Sequence, residues 1–142
     1  AVDVKRFCYA IGSCEGQQTW ECLTALLALR AWKSRWLQTR IILRLRGDNV
    51  TMLQLALKLR PPTGSPAIGL ISREMGIDIA ESAYSPDVAE HVPGVANVTS
   101  DMLSRKWDPG YKWIFPSWLS RVPEVIIPER NSDYFRTVNV TL

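Results

Sequence analysis

Glu21, Asp48, His91 and Asp101 are the residues of this chain whose types and settings best suit chemistry. They stand in Trp20-Glu21-Cys22-Leu23, Arg46-Gly47-Asp48-Asn49, Glu90-His91-Val92-Pro93-Gly94 and Asn97-Val98-Thr99-Ser100-Asp101. Three carboxylates and one imidazole in this order could build a magnesium site that cuts a phosphodiester. Mg²⁺ is a hard cation that prefers carboxylate oxygen and keeps several waters, so Asp and Glu without Cys are suitable ligands. Two such ions about 3.5–4 Å apart can activate an attacking water and stabilise the departing 3′ oxygen of an in-line displacement. Plainer readings stand beside this one. Glu21 suits the early turns of a helix, where the dipole favours an acid. Asp48 suits the N-cap of a following helix. Asp101 suits a solvated helix position, and His91 a loop without chemistry.

These four residues lie far apart in the chain, so elements of secondary structure must bring them together. Arg6–Ile11 is a short β-rich run closed by Gly12-Ser13 and is expected to be a strand. From Gln17 to about Leu37 there is no Gly or Pro, and Ala25, Leu29, Trp32 and Trp36 recur at helical spacing. A long amphipathic helix with Glu21 near its start follows, with Trp20, Trp32 and Trp36 packed into the core. Arg40–Arg46 alternates, placing Ile41, Leu43 and Leu45 on one side, Arg44 and Arg46 on the other, and Asp48 at the carboxyl end of a strand. Val50–Leu59 reads as a helix stopped by Pro61-Pro62. Ser65-Pro66 opens another that runs toward Glu81. Ser85-Pro86 breaks it, Asp87–Val92 reads as a strand ending in the Pro93-Gly94 turn, and Asn97 or Thr99 caps a last short helix through Ser104. The order is that of a mixed α/β domain.

A chain of 142 residues, 46% of them hydrophobic, is long enough for one domain with a real core. Residues 1–106 are expected to form that domain. Residues 107–142, punctuated by Pro109, Pro116, Pro123 and Pro128 and holding Trp107, Trp113 and Trp118, read as an extended tail or a linker. Net charge is only +3, but between Arg30 and Arg60 eight basic residues stand against the single acid Asp48. From Asp78 to Asp101 there are five acids and no Lys or Arg. A basic surface beside a carboxylate cluster suits a polyanion held next to metal ions, and a solvated helix face with a charged strand edge explains the same pattern. Cys8, Cys14 and Cys22 are odd in number and lack a partnering His or second CxxC pair, which indicates neither a disulfide framework nor a zinc site. With no apolar run of membrane-spanning length and no apolar signal region at the start, an intracellular location is expected, cytoplasmic or nuclear, with no membrane partner.

The stretch from about Gln18 to Arg105 resembles the ribonuclease H domain that follows the reverse transcriptase in retroelement polyproteins. It is most similar to the version in gypsy-type and tyrosine-recombinase retrotransposons. Three segments carry the likeness: Glu21–Trp32, Leu45-Arg46-Gly47-Asp48-Asn49 and Glu90–Arg105. The third is the most specific, because His91, Pro93-Gly94, Asn97 and Asp101-Met102-Leu103-Ser104-Arg105 fall together in family order. The resemblance implies a ribonuclease H-like mixed sheet flanked by helices. It also implies two-metal cleavage of the RNA strand of an RNA–DNA hybrid, with Mg²⁺, or Mn²⁺ in its place, held by Glu21, Asp48 and Asp101. His91 would assist proton transfer or product release, for which a side chain that changes charge near neutral pH is suited. Arg44, Arg46, Asn49 and Asn97 would contact the nucleic acid. The upstream reverse transcriptase domain of the same polyprotein would be a partner.

One departure matters as much as the likeness. The family also carries an Asp on a first strand, followed by a hairpin return and a third strand before the helix that bears Glu. Here Asp3 precedes Glu21 by only 18 residues, and the Arg6–Ile11 run already takes the place of the strand before that helix. Asp3 is therefore not expected to be that ligand. The expectation is a fragment lacking the first one or two strands and the first catalytic Asp, with weak or no activity alone. A non-catalytic connection module of the same fold, holding template and primer by the phosphate backbone, remains open beside the nuclease. A retroviral-type integrase core is disfavoured, since that family has a different acidic spacing and ends on Glu.

Overall fold

The computed structural model of the chain describes residues 2–138. Residue 1 of the expected domain and residues 139–142 of the expected tail lie outside them. The elements run α1 (Val2–Phe7), α2 (Gln17–Ala31), β1 (Ile41–Gly47), α3 (Val50–Lys58), α4 (Pro66–Glu81), β2 (Tyr84–His91) and α5 (Val98–Ser104), in a mixed α/β order. Among the described residues the sheet is the single parallel pair β1–β2 rather than a mixed sheet. Parallel strands cannot be joined by a tight turn, and the α3–α4 connection supplies the crossover. Helix α3 packs on both strands, and α2 packs on α3 and α4. No described helix is long and apolar enough to cross a membrane.

Local chemistry explains most of these elements. Along β1, Ile41, Leu43 and Leu45 are half-buried while Ile42, Arg44 and Arg46 face solvent, as strand alternation requires. The cap of α3 is Asn49, not Asp48: the Asn49 side chain accepts a hydrogen bond from the Met52 amide at 2.9 Å. That helix ends on Leu59 in the left-handed region, φ 52°, before the two prolines. Pro66 opens α4 at its first turn, although the Ser65 side chain makes no capping bond. Leu26, Leu55, Ile71, Met75 and Phe135 are fully buried at the centre of the core.

Four expectations are corrected. The Arg6–Ile11 run is not a strand. Val2–Phe7 is helical, with Asp3 in its first turn and Lys5 and Arg6 in its last, which matches the helix dipole. Phe7 is 5% exposed and meets Trp20 and Phe135 edge-on, with centroids 5.9 and 5.7 Å away. That packing overrides the β propensity of the run. Second, α2 stops at Ala31. A 3₁₀ turn over Lys33–Arg35 follows, so Trp36 is buried against Tyr84 from outside the helix, while Trp32 remains 43% exposed rather than in the core.

Third, β2 begins at Tyr84 and contains Pro86. The register shifts from Leu43↔Pro86 to Arg44↔Val88, leaving Asp87 as the extra residue of a bulge, where a proline without an N–H is tolerated. Fourth, the end of the expected tail belongs to the domain. Residues 108–129 contain neither α-helix nor strand, but the chain then returns. The Arg130 guanidinium donates to Asp3 at 2.6 Å, and the Phe135 ring is buried under Arg6. Arg136 pairs with Asp78 and Glu81, both at 2.7 Å, and the Thr137 amide donates to Glu74 at 2.7 Å.

Candidate functional site

Glu21, Asp48 and Asp101 line one cavity of about 370 Å³. Each reaches it from a different element: Glu21 from the second turn of α2, Asp48 from the residue just past β1, and Asp101 from the first turn of α5. Arg46, Asn49 and Asn97 share the same walls. Arg44 lies in an adjoining groove of about 340 Å³ that runs between α2 and β1 and shares Glu21 and Arg46 with the cavity. His91 is the last residue of β2 rather than part of a loop and does not line the cavity, but its Nε2 lies 3.1 Å from the Asp48 carbonyl oxygen. Gly94 passes close enough that a Cβ there would stand 3.8 Å from Asp48 Oδ2. Residues that sequence reading missed are Gln17, Thr24, Ser100 and Ser104. Gln17 is one helical turn before Glu21 and Ser104 nearly one turn after Asp101, so helical spacing was the signal that could have found them.

The acids differ in what holds them. Glu21 Oε1 accepts from the Gln17 side-chain amide at 3.1 Å, while Oε2 is buried without a hydrogen-bond partner among the described residues. A buried carboxylate oxygen left in this state calls for a cation, a water or a proton. Asp48 is exposed, and among the described residues its carboxylate has no ion-pair partner. Asp101 is turned along its own helix, taking Arg105 Nε at 3.0 Å and Nη2 at 3.2 Å. That pair sits at i, i+4 with both side chains about half exposed. Exposed pairs of this kind are screened by solvent and contribute little, so little holds Asp101 to Arg105. Cys22, next to Glu21, is fully buried and does not line the cavity; burial first, and the Glu21 charge second, push its thiol up to about 12.

The donor set suits a hard divalent cation, being carboxylate oxygens with one oxygen unsatisfied. The geometry fits less completely. Among the described residues no three His, Cys, Asp or Glu side chains are grouped to hold a metal ion. The acids share a cavity without closing on one point, and the Asp101–Arg105 pair accounts for part of that.

The expected basic surface is also reduced. Three of its eight basic residues pair with acids: Arg30 binds Glu74 and Asp78 at 2.7 Å each, Lys33 binds Glu81 at 3.2 Å, and Arg46 binds Glu90 at 2.8 Å. Arg44 stays on the exposed face of β1 with no ion pair among the described residues. No protein-family model, curated protein or solved structure matches the chain. Its own residues and their placement therefore carry the functional reading.

Proposed function

We propose that this chain is the ribonuclease H-like domain of a retroelement reverse transcriptase polyprotein, a Mg²⁺-dependent endonuclease acting on the RNA strand of RNA–DNA hybrids. The observation that supports it best is the meeting of Glu21, Asp48 and Asp101, from three separate elements, on one cavity. Glu21, Asp48 and Asp101 would hold the cation, which when bound would activate water and stabilise the leaving oxygen. Asp101 would join this set on release from Arg105. Arg46, Asn49 and Asn97 orient the sugar-phosphate backbone across the mouth, with Arg44 meeting phosphates farther along the groove. His91, hydrogen-bonded through Nε2, offers Nδ1 for proton transfer.

The test is cleavage of an end-labelled RNA–DNA hybrid by this chain, or by it joined to the upstream polyprotein sequence, with Mg²⁺ supplied or chelated. Cleavage that needs Mg²⁺ and is abolished by Asp48→Asn supports the reading. Undiminished cutting by Asp48→Asn removes Asp48 from the site. One observation favours a second reading, a connection module that grips hybrid without cutting it: the acids do not close into a ligand group among the described residues. Hybrid binding with no Mg²⁺-dependent cleavage would select that module.

A further inference from the structure

We propose that the arm from Arg105 to Arg121 is a stacking site for single-stranded nucleic acid. The proposal extends the nuclease reading, because the arm leaves directly from α5, the helix that carries Asp101. Large rings normally lie in a core, yet here Trp107 is 83% exposed, Trp118 60%, Phe115 51% and Tyr111 45%. Exposed apolar surface on this scale marks an interaction site.

The base of the arm is held in place. Trp113 Nε1 donates to the Met102 carbonyl of α5 at 3.0 Å, and its ring meets Phe115 edge-on at 5.7 Å. Lys106 Nζ lies 5.1 Å from the Trp107 ring centroid and 5.4 Å from that of Trp113. With Pro109 and Pro116 interrupting it, the segment forms no α-helix or strand that could bury these rings in pairs.

Charge identifies the occupant. Lys112 and Arg121 stand among the aromatics with no ion pair among the described residues, while Arg105 is held by Asp101 and Lys106 lies 4.0 Å from Glu124. A purely apolar partner surface would leave Lys112 and Arg121 buried without counter-charge. A single strand uses both, since its bases stack on aromatic faces while Lys and Arg meet its phosphates. Bases inside a duplex are covered on both faces by their neighbours and only its two ends are open, so the arm favours single strands over hybrid.

The test titrates the full chain, in EDTA to prevent cutting, with fluorescein-labelled single-stranded RNA and, separately, with RNA–DNA hybrid of the same length. The readouts are anisotropy and tryptophan fluorescence. Single strand should quench the tryptophans. The Trp107→Ala, Trp118→Ala double variant, whose changes lie on exposed rings, should weaken single-strand binding about tenfold per ring and hybrid binding far less. Lys112→Ala with Arg121→Ala should flatten the plot of log affinity against log salt by about 0.7 per side chain removed. Circular dichroism melts matching those of the parent confirm that the variants are folded.

No single-strand binding by the parent, unchanged binding by the double tryptophan variant, or self-association of the chain abolished by that variant would each overturn the proposal. The last result would assign the rings to a second copy instead. Asp48→Asn separates the two readings: it should keep full single-strand affinity while losing cleavage. Cleavage that fails with stacking intact sinks only the nuclease, and ring-independent binding with cleavage intact sinks only the arm.

Discussion

His91 Nε2 stands 3.1 Å from the main-chain carbonyl oxygen of Asp48. A carbonyl only accepts, so Nε2 carries the hydrogen, and in the neutral ring Nδ1 is left able to take a proton. The contact closes the carboxyl end of the parallel pair, next to the Val92 amide that donates to the Gly47 carbonyl at 2.8 Å. The imidazole and the Asp48 main chain are thus set by the same two strand ends.

His91→Ala should therefore separate chemistry from stability. His91 is exposed and, among the described residues, its side chain's one hydrogen bond is to that carbonyl, so its loss costs about 1 kcal/mol or less. Cleavage of hybrid should slow by about a hundredfold, the lower end of what a positioned acid–base group contributes. Urea melts and single-turnover cleavage rates check the two halves. A variant that cuts as fast as the parent leaves the imidazole without a chemical role.

Glu21→Gln gives a readout of the cation that needs no activity. Glu21 Oε2 is buried with no partner among the described residues, so removing the charge should leave the fold without Mg²⁺ as stable as the parent or more so. With Mg²⁺ at about a hundredfold over its dissociation constant, a ligand bound only to the folded state adds about 2.7 kcal/mol. The melting temperature of the parent should rise with Mg²⁺ and that of Glu21→Gln should not. Equal shifts in both would place the ion elsewhere.

The parts of the fold legible in the sequence are those decided locally. The alternation of Ile41–Arg46, the Ser65-Pro66 opening of α4 and the stop at Pro61-Pro62 each act within a few residues, and the corresponding elements follow. Asp48 past the end of β1 and Asp101 in the first turn of α5 follow from those elements. What was not legible depends on distant partners. Whether residues 2–7 are strand or helix is settled by Phe7 against Trp20 and Phe135, and the last of these comes from the far end of the chain. Arg130–Thr137 shows no period in the sequence, and distant partners, the acids Asp3, Glu74, Asp78 and Glu81 and the ring of Phe7, explain why it docks. The Arg105 spacing from Asp101 is visible in the sequence, but spacing alone does not decide between an ion pair and a ligand role.

The cluster where that segment docks should make the protein sensitive to acid. Burial pushes the Glu74 carboxyl up, but hydrogen bonds from the Thr137 hydroxyl and amide and from Arg30 outweigh it and hold the group below its ordinary value of 4.5. A carboxyl depressed in the folded state contributes stability that is complete above its unfolded value and is lost as pH falls through the folded one. The parent should therefore lose stability below about pH 4.5. Glu74→Gln should be less stable at neutral pH and show a flatter profile in the acid window. Chemical denaturation across that range checks it, and parallel profiles would remove Glu74 from the acid response.

Two aromatic residues from the same stretch decide whether residues 107–142 behave as a tail or as part of the domain. Phe135 is fully buried, edge-on to Phe7 at 5.7 Å and to Tyr134 at 5.3 Å, with the Arg6 guanidinium 4.8 Å from its centroid. Truncating such a ring removes its transfer energy and leaves a cavity, and Phe135→Ala should cost about 3–5 kcal/mol. Trp118 is 60% exposed, and Trp118→Ala should change stability by about 0.5 kcal/mol or less. Urea denaturation of both variants makes the comparison. A large loss for Phe135→Ala with none for Trp118→Ala means that the domain closes only once residues 130–137 have returned to α1 and α4. Equal, small losses would mean that the segment rests on the surface without contributing to the core.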